Sequence, residues 1–310
     1  MMTLRNPYNH SVLAVLIGLL TSGTLFGQQT ASFPEYNFNP FIVNAAYAGL
    51  SPTTEATIAN TGFSSFDGAP KSFSLSFHSP LQDGKMGLGA AIIRDEIGVT
   101  RSTSTFIAYS YKLFFDIKND RPYWQNYQPS SLSFGITAGL QQYQDNLLDL
   151  NIMDDIQFDK NIDATIPTVG AGFLFNHSQF YVGLSAPNLI GTRLASDDAV
   201  DLNSPVYGYL GYRFFNNRFE NYMLKPSVFV KHEKGAPLIA DFNMSVSHRN
   251  QFELGAGYRT NSSFNVLAGI YLFETFRVIY HYNMATNNSP LGNTHGLVLS
   301  FRLQQGYKTR

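Results

Sequence analysis

Along most of the chain, apolar and polar residues alternate one by one. In Ser72–Phe77 (SFSLSF), Phe73, Leu75 and Phe77 fall on one side and Ser72, Ser74 and Ser76 on the other. From Ser131 to Gln141, Leu132, Phe134, Ile136, Ala138 and Leu140 stand opposite Ser131, Ser133, Thr137 and Gln141. Phe252, Leu254, Ala256 and Tyr258 alternate with Gln251, Glu253, Gly255 and Gly257, and Leu297, Leu299, Phe301 and Leu303 with Gly296, Ser300 and Arg302. A period of two sends successive side chains to opposite faces, so each segment predicts a strand with one apolar face. The pattern predicts about fourteen strands of ~9–11 residues, the length that crosses a bilayer when tilted. They fall near 53–62, 71–79, 85–94, 102–114, 131–142, 165–175, 180–187, 205–215, 223–233, 237–247, 251–260, 264–272, 275–284 and 294–303.

The polar faces decide which solvent wets the apolar ones. A soluble sandwich would carry Lys, Glu and Asp on its outer face, whereas here the polar positions are mostly Ser, Thr, Gly and Gln. That suits a narrow, wet lumen inside a wall whose exterior meets lipid. The predicted fold is all-β, a transmembrane antiparallel up-and-down β-barrel over 53–303. A large soluble β-sandwich or propeller is the competing architecture, and no blade-length repeat supports a propeller. With both chain ends periplasmic, the long connections Tyr143–Ala164, Pro187–Ser204 and Met284–Asn293 fall outside the cell, and the tight links His248–Asn250 and Phe273–Glu274 inside. Phe115–Ser130 runs against this trend, being long yet periplasmic. Thr294, Gly296, Leu299 and Phe301 fit the spacing of the C-terminal signal read by the outer-membrane barrel assembly machine, with 304–310 trailing as a periplasmic tail.

The first residues agree with export. Arg5 and His10 precede an apolar block, Val12–Leu20, and then Thr21, Ser22, Gly23 and Thr24. This is the layout of a signal peptide, expected to span 1–27, and the block is about half the ~20 residues a spanning helix needs. No other segment approaches such a helix. Charged residues make up 14% of the chain and aromatics 15%, with no cysteine. The first figure is low against the ~25% of a typical soluble domain, and the second argues against disorder. The missing cysteines exclude a lipoprotein anchor, disulfides and thiolate metal sites, and a net charge of −1 gives no reason to expect nucleic acid as a partner.

A search for chemistry finds little. There is no G-x-S-x-G elbow, H-E-x-x-H helix, P-loop or G-x-G-x-x-G after a strand. Gly87 and Gly89, like Gly170 and Gly172, are spaced by two, which in strands marks a crowded face rather than a phosphate cradle. His78, His177, His232, His248, His281 and His295 are scattered and read as lumen or interfacial side chains. The acidic segment 143–164 (Asp145, Asp149, Asp154, Asp155, Asp159, Asp163) offers oxygen ligands for calcium, but its spacing is not that of an EF-hand and it lacks glycine. It reads as a solvated loop. No catalytic, cofactor or metal residue is predicted, and no enzyme.

Two blocks go beyond general barrel character. One is Phe33-Pro-Glu-Tyr-Asn-Phe-Asn-Pro-Phe-Ile-Val-Asn-Ala-Ala-Tyr-Ala-Gly49. The other is Phe66-Asp-Gly-Ala-Pro70, continuing through Lys71-Ser-Phe-Ser-Leu-Ser-Phe-His-Ser-Pro-Leu81, Gly87-Leu-Gly89 and Asp95-Glu-Ile-Gly98. Together they resemble the PorP/SprF family of Bacteroidetes outer-membrane proteins, with Glu35 where Gln is usual and Ala45 where Pro is usual. The likeness continues through Phe180–Leu189, Lys225–Lys231, Gly235–Pro237 and Gly257–Thr260. It implies a non-enzymatic barrel in the outer-membrane lipid, working with type IX secretion components. Some members sit with periplasmic lipoprotein–motor components; others are encoded beside a large adhesin and support export or attachment of that surface protein. A transport barrel for a hydrophobic or small polar solute is the alternative, since both need the same lipid face and polar lumen. Physically, residues 28–52 form an aromatic segment with turn-forming Asn39-Pro40 and Ala48-Gly49. Tyr36, Phe38, Asn39, Pro40, Tyr47 and Gly49 are therefore candidates to plug the lumen or dock a periplasmic partner. Phe66, Asp67, Gly68, Ala69 and Pro70 are candidates for contact in the first extracellular loop.

Overall fold

The computed structural model describes residues 33–63, 68–118, 120–126, 128–150, 160–190, 204–260, 262–286, 292–304 and 306–307. The expected signal peptide, Phe66, Asp67 and the acidic residues Asp154, Asp155 and Asp159 lie outside them. A short helix, α1 (Phe33–Phe38), and two 3₁₀ turns, Pro40–Ile42 and Ala45–Tyr47, come first. Then follow β1 (Glu55–Phe63), β2 (Lys71–Leu81), β3 (Met86–Ile97), β4 (Thr100–Phe115), β5 (Ser130–Asp145), β6 (Ile162–Asn176) and β7 (Phe180–Ala186). The second half holds β8 (Val206–Tyr212), β9 (Tyr222–His232), β10 (Ile239–His248), β11 (Phe252–Arg259), β12 (Ser263–Leu272), β13 (Phe276–Ala285) and β14 (Thr294–Arg302). Each strand pairs antiparallel with the next, and β1 pairs with β14 from Glu55↔Arg302 onward, so the fourteen described strands close into a barrel.

Closure gives each described strand a partner on both sides, so the paired part of the wall satisfies its backbone polar groups without water. The alternation sorts side chains between lipid and lumen. Leu254 is 65% exposed on the outer wall while its neighbour Glu253 is completely buried inside. Phe73, Leu75 and Phe77 face out, and Ser74, Ser76 and His78 are buried inward. Phe114, Phe115, Phe180, Tyr222, Phe252 and Phe276 are exposed near the strand ends on the side of the chain termini, where an interfacial aromatic girdle belongs.

Most turns on that side are tight. Arg249 and Asn250 both have positive φ (49° and 47°), as do Phe273 and Glu274 (50° and 62°), the two-residue geometry whose twist matches antiparallel strands. The longer connections at the opposite end make it the extracellular one.

Several strands outrun the sequence reading, β3 among them, which runs to Ile97 rather than 94. β4, β5 and β6 extend outward, pairing Tyr143↔Ala164, Gln144↔Asp163 and Asp145↔Ile162, so the acidic loop shrinks to 146–161. Consecutive polar residues at Gln141, Gln142 and Gln144 erase the contrast between faces there, but Tyr143, Ile162 and Ala164 still pack on Ile166. The long periplasmic connection after β4 folds back on the barrel mouth. Trp124, the single tryptophan, is fully buried and donates from Nε1 to the Glu220 carbonyl at 2.8 Å. The chain's last described residues also turn inward: the backbone N–H of Tyr307 donates to the Glu274 carbonyl at 2.7 Å, and its ring is buried.

Candidate functional site

Inside the wall, residues 35–49 meet the side chains of the lumen at many points. Asn39-Pro40 ends α1, since Pro40 has no N–H to continue the helix and fixes φ for the next turn. Asn44 caps the second turn, its Oδ1 accepting the Ala46 N–H at 2.8 Å. The same amide reaches the wall with its other end: Nδ2 donates to the carbonyls of Phe173 (3.0 Å) and Leu184 (3.3 Å) and to the Tyr209 hydroxyl (2.6 Å). Gly49, at φ 59°, then turns the chain out toward β1.

Further wall side chains hold this segment by its backbone. Ser110 Oγ donates to the Ala48 carbonyl and Ser185 Oγ to the Val43 carbonyl, both at 2.7 Å. Ser76 Oγ donates to Asn39 Oδ1 at 3.0 Å, and Arg277 Nη2 to the Phe38 carbonyl. The wall is shaped to receive it. A methyl on Gly87 would sit 2.0 Å from the Ala48 carbonyl oxygen, one on Gly135 2.3 Å from Ala46 N, and one on Gly172 2.0 Å from Asn44 Oδ1.

Apolar contact supplies the rest. Tyr36, Phe38, Ile42 and Val43 pack in one cluster with Ala59, Phe229, Leu267, Ile279 and Val298 from the wall. Tyr36 stacks on Phe229 with ring centroids 4.0 Å apart, and its hydroxyl donates to Asp241 Oδ2 at 2.9 Å. Arg259 grips the same carboxylate with Nε and Nη2, each at 2.7 Å. This planar fork is the arrangement that stabilises a buried carboxylate best. On the other side of α1, Thr61 Oγ1 donates to Glu35 Oε1 at 2.7 Å and lies 3.2 Å from His281 Nε2. At the periplasmic mouth, Glu55 accepts Arg302 Nε (2.7 Å), Arg277 Nη2 (3.2 Å) and the Tyr307 hydroxyl (2.9 Å).

Of the residues singled out in the sequence, Tyr36, Phe38, Asn39 and Gly49 are buried within the lumen, while Pro40 and Tyr47 are half-buried beside internal cavities. Gly68 is exposed at the extracellular end, where its carbonyl accepts the Gly98 N–H at 3.0 Å, and Ala69 and Pro70 are buried behind it. These loop residues are not brought near the inner segment's anchors. Sequence reasoning missed Asn44, Asp241, Arg259, Glu55 and Arg277 as anchors. The signal was a few isolated charges on otherwise Ser- and Thr-rich faces.

A model of the family described as type IX secretion system membrane protein PorP/SprF matches residues 25–301. The chain belongs to the PorP/SprF family. It is therefore an outer-membrane β-barrel of the type IX secretion system family. No curated protein matches its sequence. Solved structures similar to this PorP/SprF barrel include the outer membrane protein Omp33 of Acinetobacter baumannii, at 11% identity and TM-score 0.43, covering 82% of this chain and 100% of that one. A deletion mutant of the monoaromatic hydrocarbon channel TodX is also similar, at 9% identity and TM-score 0.46, covering 84% of this chain and 93% of the other.

Proposed function

We propose that this PorP/SprF protein is a closed, non-enzymatic scaffold of the type IX secretion machinery. In this role it supports export or surface attachment of a secreted surface protein, or links the outer membrane to periplasmic machinery. The observation that carries the reading is the occupied lumen: residues 35–49 are fastened to the wall by Asn44, Ser110, Ser185 and the Tyr36–Asp241–Arg259 network. A barrel that passes solute needs that space, so the transport alternative loses its main physical requirement. What is left for partners is the two ends. The extracellular loops, with Gly68 exposed among them, suit a secreted client, and the folded-back surface around Trp124 and Tyr307 suits periplasmic components.

Catalysis is disfavoured on similar grounds. Glu35 on α1, Thr61 and His281 form a chain of carboxylate, hydroxyl and imidazole, yet all three are buried between α1 and the wall. A nucleophile needs a neighbouring site for the reacting atom; this chain instead serves to seat the inner segment.

The reading is tested by affinity purification of the tagged protein from solubilised outer membrane. Type IX components or a surface adhesin bearing a type IX signal should co-purify. Recovery of the protein alone, together with solute flux in liposomes, would contradict it.

A further inference from the structure

On the periplasmic side of the inner segment, a cavity of about 230 Å³ lies between it and the folded-back loop and tail. Five cationic side chains from separate parts of the chain line it: Arg121 after β4, Arg213 after β8, Lys225 on β9, Arg277 on β13 and Arg302 on β14. Three of them are paired with carboxylates. Glu55 takes Arg277 and Arg302, and Glu253 takes Lys225.

Arg213 is the telling member. Its Nη1 donates to the His177 carbonyl at 2.7 Å and its Nη2 to Asn176 Oδ1 at 3.2 Å, and its guanidinium lies 4.9 Å from the centre of the Tyr181 ring. All of these partners are neutral. Burial accordingly pulls its pKa below the ordinary arginine range, with no carboxylate to offset the loss of water. A desolvated cation held by neutral acceptors at the edge of a cavity is a site that a complementary anion would stabilise.

A second chamber of about 190 Å³ shares Arg213, Lys225 and Arg277 with the first and adds the rings of Tyr36, Tyr181, Tyr209 and Phe229. The two adjoining chambers thus set cationic groups beside aromatic faces. We propose that these chambers bind a carboxylate carried on an apolar or aromatic tail, entering from the periplasmic end. Arginine forks match a carboxylate's two oxygens, and the tyrosine faces take the tail. A peptide C-terminus and a free aromatic acid share this chemistry.

The test is calorimetric titration of the detergent-purified full chain with three probes: Ala-Ala-Ala-Phe with a free carboxylate, the same peptide amidated, and 3-phenylpropionate. At least one free carboxylate should bind, and the amide should bind about tenfold more weakly or not at all. Binding by the peptide alone assigns a chain terminus, and tighter binding by 3-phenylpropionate assigns a small acid. Arg213→Gln should weaken the preferred probe by about tenfold. Because Arg213 also ties the turn at His177 and Arg121 holds the Gln125 carbonyl, Arg121→Gln serves as a second variant, and both should weaken binding while keeping the wild-type far-ultraviolet circular dichroism. No binding of either carboxylate at millimolar concentration, equal binding of the amide, or undiminished binding in both variants would overturn the proposal.

Discussion

Gly135 carries no side chain, and the inner segment occupies the space one would fill. An added methyl would lie 2.3 Å from Ala46 N and 2.4 Å from the Ala45 carbonyl carbon. Gly135→Val should therefore displace the 3₁₀ turn at Ala45–Tyr47 and destabilise the protein by about 1–3 kcal/mol, the usual cost of overpacking. A lowered urea midpoint, with protease cleavage appearing within 35–50, checks it. Asp241 tests the electrostatic half of the seat. Asp241→Ala removes the carboxylate that Arg259 grips with two nitrogens and should cost about 3–5 kcal/mol; Arg259→Met added to it should recover a large part. Denaturation of the single and double variants decides whether the pair, rather than general packing, holds α1. The crowding at Gly87, Gly89, Gly170 and Gly172 was legible in the sequence from their spacing by two, while Gly135 carried no such mark. What crowds them was not, because Ala48 and Asn44 come from a segment whose place depends on the closed wall.

Among the elements, the strands were the most readable, since a two-residue period with opposed faces has one explanation per segment. Fourteen strands emerge near the predicted positions, and the departures include the charged stretch Arg94–Glu96 and Gln141–Gln144, where the contrast fails, and β8, which ends at Tyr212 rather than 215. The apolar lumen residues Leu267, Ile279 and Val298 were hidden for the opposite reason. They stand at inward positions that read as polar elsewhere, and only the aromatic segment they receive explains them. The connection after β4 carries no period at all, so its length was a puzzle until Trp124 was found buried against the Glu220 carbonyl. Trp124→Ala should cost about 3–5 kcal/mol of local stability. Its signature is faster trypsin cleavage after Lys118, the bond after Arg121 being shielded by Pro122, with the barrel's strand signal in far-ultraviolet circular dichroism unchanged.

For the whole molecule, the wall gives a membrane-spanning frame and the inner segment gives it a core. Most soluble domains pack apolar faces inward, whereas this barrel turns its apolar face to lipid and builds a mixed interior around its own N-terminal stretch. That arrangement ties the family block at Phe33–Gly49 to architecture: the aromatic residues fill the lumen, Asn44 pins them, and Gly49 leads back to β1. Burial of the Tyr307 ring beside Arg302, at 4.1 Å, finishes the periplasmic end. On the proposed function, a filled barrel with two elaborated ends serves as a platform for other proteins rather than a passage for solute. Single-channel recording of the intact protein in a planar lipid bilayer tests this most directly. The bilayer should stay at baseline, with at most brief flickers; a steady ohmic channel from the intact protein would contradict the closed-scaffold account.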